Sequence, residues 1–240
     1  MTLGLVLILL GQEPAVAGGQ DILERVACAP ISATEMPTAA LRIVGSADHG
    51  RITFGPGDAV VVNAGAEQGM KKGQVYYVRR HVRDNFTPVA LDFTPISIHT
   101  AGWVTIVETK DYVSIASVTH ACDGIMYGDY LEPFTSPVVP PPALSGEPDY
   151  ANPARIVMGD ERRQMASEGM MVLINRGTEQ GVRAGQTVTI YRPTMEGLGP
   201  VVDLGRATIL SVRPKTSLIR IDSSRDAIAI GDLAAINRIR

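Results

Sequence analysis

The chain has 240 residues, 45% of them hydrophobic, which is enough for one or two domains with buried cores. Its 24 glycines and 16 prolines, set among short β-branched runs, exclude a helix-dominated fold. A net charge of −3 and a pI near 5.8 exclude a general nucleic-acid binder, which needs a basic surface.

In chain order, residues 3–10 are a continuous apolar run, and Ala15-Val16-Ala17 follows it. This pattern predicts a secretory signal over residues 1–17, with a mature chain from residue 18. The run is too short to span a bilayer. It is atypical in one respect: no Lys or Arg precedes it, and the first basic residue is Arg25. Residues 18–40 form an N-terminal segment. Within it, residues 21–27 predict one or two helical turns capped by Asp21, and residues 29–37 an extended linker.

Residues 41–134 read as a first β unit. A strand begins near Leu41, a loop with Phe54 follows, and then come Val60-Val61-Val62 and Val75-Tyr76-Tyr77-Val78 as two strands. An insert containing Asp84-Asn85-Phe86-Thr87-Pro88 and Phe93-Thr94-Pro95 reads as an elaborated hairpin or loop. Strands over 102–109 and 113–120 flank the turn Lys110-Asp111-Tyr112. A turn anchored by Ile125 and a closing strand from Tyr130 complete the unit. Residues 135–152, with five prolines, form a semi-rigid linker. Residues 153–240 repeat the programme. There, residues 160–168 predict a loop or short helical turn, and residues 233–239 the last strand.

The two units are related by internal duplication. Asn63-Ala64-Gly65-Ala66-Glu67-Gln68-Gly69-Met70-Lys71-Lys72-Gly73-Gln74 matches Asn175-Arg176-Gly177-Thr178-Glu179-Gln180-Gly181-Val182-Arg183-Ala184-Gly185-Gln186. The structural turn residues are thus Asn63, Gly65, Gly69 and Gly73, and Asn175, Gly177, Gly181 and Gly185. Glycine provides positive φ or close backbone approach. Met70 and Val182 are expected to tuck beneath the turn. Recurrence of Glu67 and Glu179 beside Gln predicts a hydrogen-bonding or capping role. Asp129 and Asp232, each following Gly, take the same reading. Local hairpins without a long helix predict an all-β fold: two tandem small β-barrels joined by a Pro-rich linker, with a pair of β-sandwiches as the alternative.

Cys28 and Cys122 are the only cysteines. In an exported chain they are disulfide candidates, closing a loop of about 95 residues at a gain on the order of 4 kcal/mol; two separate buried thiols are the alternative. The glycine-punctuated repeat, with the later Gly128-Asp129 turn, resembles the C-terminal β-barrel domain of flagellar assembly protein T. A similar hairpin occurs in the β-domains of MreC rod-shape scaffold proteins. The resemblance implies small β-barrels, a periplasmic setting, and a scaffold or assembly role.

No catalytic constellation stands out. The histidines are His49, His81, His99 and His120. His120-Ala121-Cys122-Asp123 brings ligand-type groups together, but a metal needs three or four that converge. The second unit carries Ser223, Arg225 and Asp226 there, so the fold does not depend on a metal. No phosphate loop, dinucleotide fingerprint or nucleophile elbow is present, and no cofactor, metal or nucleic acid is expected. A hydrolase would need a polar cleft joining His99 or His120 to a carboxylate. Trp103, Tyr76 and Tyr112 mark a possible binding surface on the first unit; core filling is the competing role. The sequence therefore points to a non-enzymatic exported envelope scaffold, assembly or protein-binding module, periplasmic or secreted, with an envelope protein or cell-wall component as partner. A peptidoglycan-binding module using the aromatic face is the alternative, and an unrecognised hydrolase the third reading.

Overall fold

The computed structural model describes residues 18–33, 35, 38, 40–46, 50–82, 96–143, 145–159, 163–194 and 200–239. The predicted signal segment, His49, residues 84–88 and 93–95 of the insert, and residues 160–162 lie outside the described residues. Helix α1 (Gly18–Cys28) and strand β1 (Ile31–Ala33) come first. The first unit holds β2 (Ile43–Ser46), β3 (Thr53–Phe54), β4 (Ala59–Val62), β5 (Val75–Val82), β6 (Ile96–Thr109), β7 (Ser114–Ala121), β8 (Ile125–Met126) and β9 (Tyr130–Pro133). Then come β10 (Ser145–Pro148), β11 (Ala154–Gly159), β12 (Met165–Ala166), β13 (Met171–Ile174), β14 (Thr187–Pro193), β15 (Val201–Val212), β16 (Ser217–Ser224), β17 (Ile228–Ala229) and β18 (Leu233–Ile239).

The second unit is a closed antiparallel barrel of six strands, ordered β11-β13-β16-β15-β14-β18 and sealed by β18 against β11. The first unit has the corresponding order β2-β4-β7-β6-β5-β9, but its sheet is open. Its ends touch at a single bridge between Arg42 and Tyr130, flanked by the Leu131 N–H donating to the Leu41 carbonyl. Each interior follows the two-residue strand period. Val62, Val78, Val104 and Ile106 fill the first, and Ile174, Val188, Ile190 and Ile209 the second. Short ribbons cover one end of each: β3 with β8 places Phe54 over the first core, and β12 with β17 does the same with Ala166.

The duplicated turn has one geometry in both copies. Gly65 and Gly177 precede a single 3-10 turn, Ala66–Gln68 or Thr178–Gln180. A Cβ on either would lie 2.1 Å from a carbonyl oxygen of the neighbouring hairpin, Lys110 or Arg213, so only glycine fits. Gly69 and Gly181 end the turn at φ +83° and +77°, the left-handed region. The glutamines do the bonding: Gln68 Oε1 and Gln180 Oε1 each accept from the first glycine's N–H at 2.8 Å. Glu67 and Glu179 are exposed, so their expected bonding role falls to the neighbouring glutamines. Asn63 Oδ1 and Asn175 Oδ1 accept from the N–H of Arg42 and Arg155 at 2.6 Å, pinning the turn to the unit's first strand. Met70 and Val182 are buried beneath it.

Four sequence expectations change. α1 is eleven residues long rather than one or two turns, because its apolar stripe has a seat: Ile22, Val26 and Ala29 pack on Met158, Leu173 and Leu218, outside the second barrel. Part of the expected extended linker is β1, which pairs with β6. Part of the Pro-rich linker is β10, which pairs with β18, and Ala143 N–H bonds the Gly185 carbonyl. The segment before β13 carries β12 rather than a helical turn. Each addition takes its partner from another part of the chain, so local residue preference does not announce it.

Candidate functional site

The residues with the most chemistry converge where the N-terminal segment meets the first unit. α1 ends at Cys28 because the chain must turn there to run into β1 beside β6. Cys122 follows β7, held by its own N–H and that of Asp123 donating to the Ala101 carbonyl. The two sulfurs form a disulfide with Cα atoms 5.6 Å apart and a sequence separation of 94. The expected pairing is therefore present. Such a bond fits an oxidising, extracytoplasmic setting. Among the described residues, no helix is long and apolar enough to cross a membrane.

Beside the disulfide opens a cleft of about 360 Å³ lined by Asp21, Glu24, Arg25, His99, His120 and Met171. The His120 ring is stacked on Trp103 at 4.2 Å with the planes 9° apart, which fixes its direction. One ring nitrogen of His120 lies within 4.8 Å of both sulfurs. His99 Nε2 is 3.2 Å from Asp123 Oδ2, close enough for an ion pair when protonated but not aligned as a hydrogen bond. So the cleft does join histidines to carboxylates. Among the described residues its lining contains no hydroxyl side chain, and both sulfurs are bonded to each other.

On the outside of the first sheet, next to His120, lies an aromatic cluster in which Tyr77 is buried, its hydroxyl donating to the Thr135 carbonyl at 2.9 Å. Tyr77, Trp103 and Phe134 make edge or tilted contacts at 4.5 to 6.5 Å, and Arg79 lies 4.5 Å over the Tyr77 ring. The three residues singled out by sequence do not share this face. Trp103 lies on it; Tyr76 points into the core, its hydroxyl donating to Gln74 Oε1 at 3.1 Å; Tyr112 is exposed at the tip of the β6–β7 hairpin. Alternation explains the exchange: Tyr77, one residue on from Tyr76, faces outward opposite Trp103.

Arg79 is buried near the seam with the second unit. Burial draws its pKa down, opposed chiefly by Glu132, whose Oε2 is 3.0 Å from Nε. Around it the Thr100 and Tyr130 hydroxyls and His81 Nε2 are buried without a hydrogen-bond partner among the described residues. Burial pushes the Tyr130 phenol up to about 12. The seam also holds a buried Ser32–Thr216 hydroxyl pair at 2.8 Å and the Arg25 guanidinium donating to the Gly169 carbonyl.

One ion pair, a buried carboxylate held by a partly exposed guanidinium, occurs in both units. Arg80 grips Asp129 through two bonds of 2.6 and 2.7 Å, and Arg192 grips Asp232 through two of 2.7 Å. These bonds hold each guanidinium's pKa above its usual value. Asp129 and Asp232 also accept from the N–H of Met126 and Ala229, so each carboxylate ties the β8 or β17 turn to the barrel wall. The repeated Arg at the end of one strand and Asp at the start of another carried this signal in the sequence, and only the fold joins them. No family model matches the chain, and no curated protein matches it in sequence.

Proposed function

We propose that this chain is a non-enzymatic exported envelope scaffold, an assembly or protein-binding module of the periplasm or the secreted space. One observation carries the reading: the N-terminal segment ties both units together. β1 extends the first unit's sheet, α1 seats on the second barrel, and a disulfide locks the joint. Holding two like modules at a set spacing suits a protein that positions partners. The repeated polar residues are spent on turns and barrel closure, and among the described residues the cleft that gathers His99, His120 and carboxylates offers no free hydroxyl or thiol nucleophile. The resemblance of the repeat to flagellar assembly protein T and to MreC scaffolds agrees with this reading. The partner is another envelope protein.

Peptidoglycan binding is the second reading, favoured by the Trp103–Tyr77–Phe134 face. Co-sedimentation separates the two. A scaffold is retained by an envelope fraction, and protease treatment of that fraction abolishes retention. A glycan binder is retained by purified, protein-free peptidoglycan. Retention by neither overturns both readings.

A further inference from the structure

We propose that Cys28, Cys122 and His120 form a metal site when the disulfide is reduced, selective for a thiophilic ion such as Zn2+, so that metal replaces the covalent bond at the same joint. The three ligand atoms already lie within 4.8 Å of one another. Two thiolates and an imidazole are a donor set that Zn2+ accepts in tetrahedral coordination, with sulfur at about 2.3 Å and nitrogen at about 2.0 Å. Opening the S–S bond lets the sulfurs separate around an ion without moving α1 off its seat.

Two observations beyond the cysteines favour a ligand here. The His120 ring is held by stacking on Trp103 rather than free to rotate. The adjoining cleft brings in a second imidazole, His99, whose Nε2 is buried and without a hydrogen-bond partner although Asp123 lies beside it. Asp123 Oδ2 lies 3.2 Å from that same nitrogen, so His99 takes up an ion through Nε2 by exchanging this carboxylate contact for the metal. A fourth ligand comes from His99 or from water in the cleft. Asp21 and Glu24 on α1 line its edge together with Arg25, whose guanidinium donates to the Gly169 carbonyl.

The chemistry balances in two steps. A dithiol reductant gives two electrons and two protons to the Cys28–Cys122 bond, yielding two thiols and the reductant's own disulfide. Zn2+ then binds both sulfurs as thiolates and displaces two protons to solvent. Both cysteines are only partly buried, so the reductant has access. The second unit has Ser223 and Arg225 near the corresponding positions, and the site belongs to the first unit alone.

The test titrates the full chain with Zn2+ against a chromogenic chelator, oxidised and after reduction with a phosphine that is then removed. The expected result is one Zn2+ per reduced chain and none per oxidised chain. His120→Ala weakens binding about tenfold or more, and His99→Ala does so only if His99 is the fourth ligand. Co2+ in place of Zn2+ gives thiolate charge-transfer absorption together with the intense visible bands of a tetrahedral ion. Zn2+ also restores part of the thermal stability that reduction removes. Reduced protein that binds no better than oxidised protein overturns the proposal. So does reduced His120→Ala binding as tightly as reduced wild type, which reports two thiols acting without a built site.

Discussion

The two units were built from one pattern, yet only the second closes its own barrel. In the second, β18 spans from β14 to β11 and completes the wall. In the first, β9 is four residues long, and it meets the β2 end through the Arg42–Tyr130 bridge and the Leu131 N–H on the Leu41 carbonyl, beside bonds between Ile43 and the Gly128–Asp129 turn that the second unit shares. The first unit has instead acquired external supports: β1 on β6, and a disulfide to α1. The second has acquired an apolar outer face, with Met158, Leu173 and Leu218 buried beneath α1. The open sheet of one copy and the seat on the other are thus served by the same short segment, and duplication has been followed by division of labour.

The comparison is broken most strongly at the disulfide. Cys28→Ser with Cys122→Ser is expected to cost on the order of 4 kcal/mol, falling on the first unit. Urea unfolding followed by Trp103 fluorescence should shift, while second-barrel probes move far less. Next come the buried carboxylates. Asp129→Ala should cost about 2 kcal/mol by removing the charge-assisted bonds to the partly buried Arg80 and the bond from the Met126 N–H. Asp232→Ala should cost less, because the Arg192 side chain is 42% exposed against 23% for Arg80. Equal losses in calorimetry would contradict that difference in burial.

Gly65→Ala and Gly177→Ala sharpen what the copies share. Each drives a Cβ into a carbonyl oxygen and should cost about 2 kcal/mol, with the same loss in both units. Gly69→Ala and Gly181→Ala should cost roughly 1 kcal/mol each. The smallest effect concerns Tyr130, which Leu233 replaces in the second unit. Its raised pKa means that the fold favours the neutral phenol. That stability is fully present below the unfolded value near pH 10 and is lost as pH rises through about 12. Tyr130→Phe removes a buried hydroxyl without a partner, should gain up to about 1 kcal/mol, and should flatten the alkaline limb. An unchanged alkaline limb in thermal melts would assign the effect elsewhere.

The repeat, the all-β class and the cysteine pairing were legible because each has a local mark: three glycines at fixed spacing, β-branched runs, and two cysteines alone in the chain. The roles of Arg80 and Asp129 were half legible, since each recurs in register while their contact depends on closure. The faces of Tyr76 and Tyr77 were not. Adjacent strand residues point oppositely, and a register shift between Val78 and Arg79 resets the alternation. The cleft was hidden for a further reason. Its parts come from α1, β6, β7 and the start of β13, and α1 owes its length to a surface more than a hundred residues away. The outward apolar residues Leu173 and Leu218 carried the available hint, in strands hydrophobic on both faces.

The position of the covalent ring has a bearing on assembly order. Both sulfurs precede Ala154, where the second barrel's wall begins. A polypeptide emerging N-terminus first can therefore encircle its first module before the later one exists. The helix carrying Cys28 would by then be tethered but unseated, and β13 and β16 would dock beneath an anchor already in place. The joint is prepared by the first half of the chain and filled by the second.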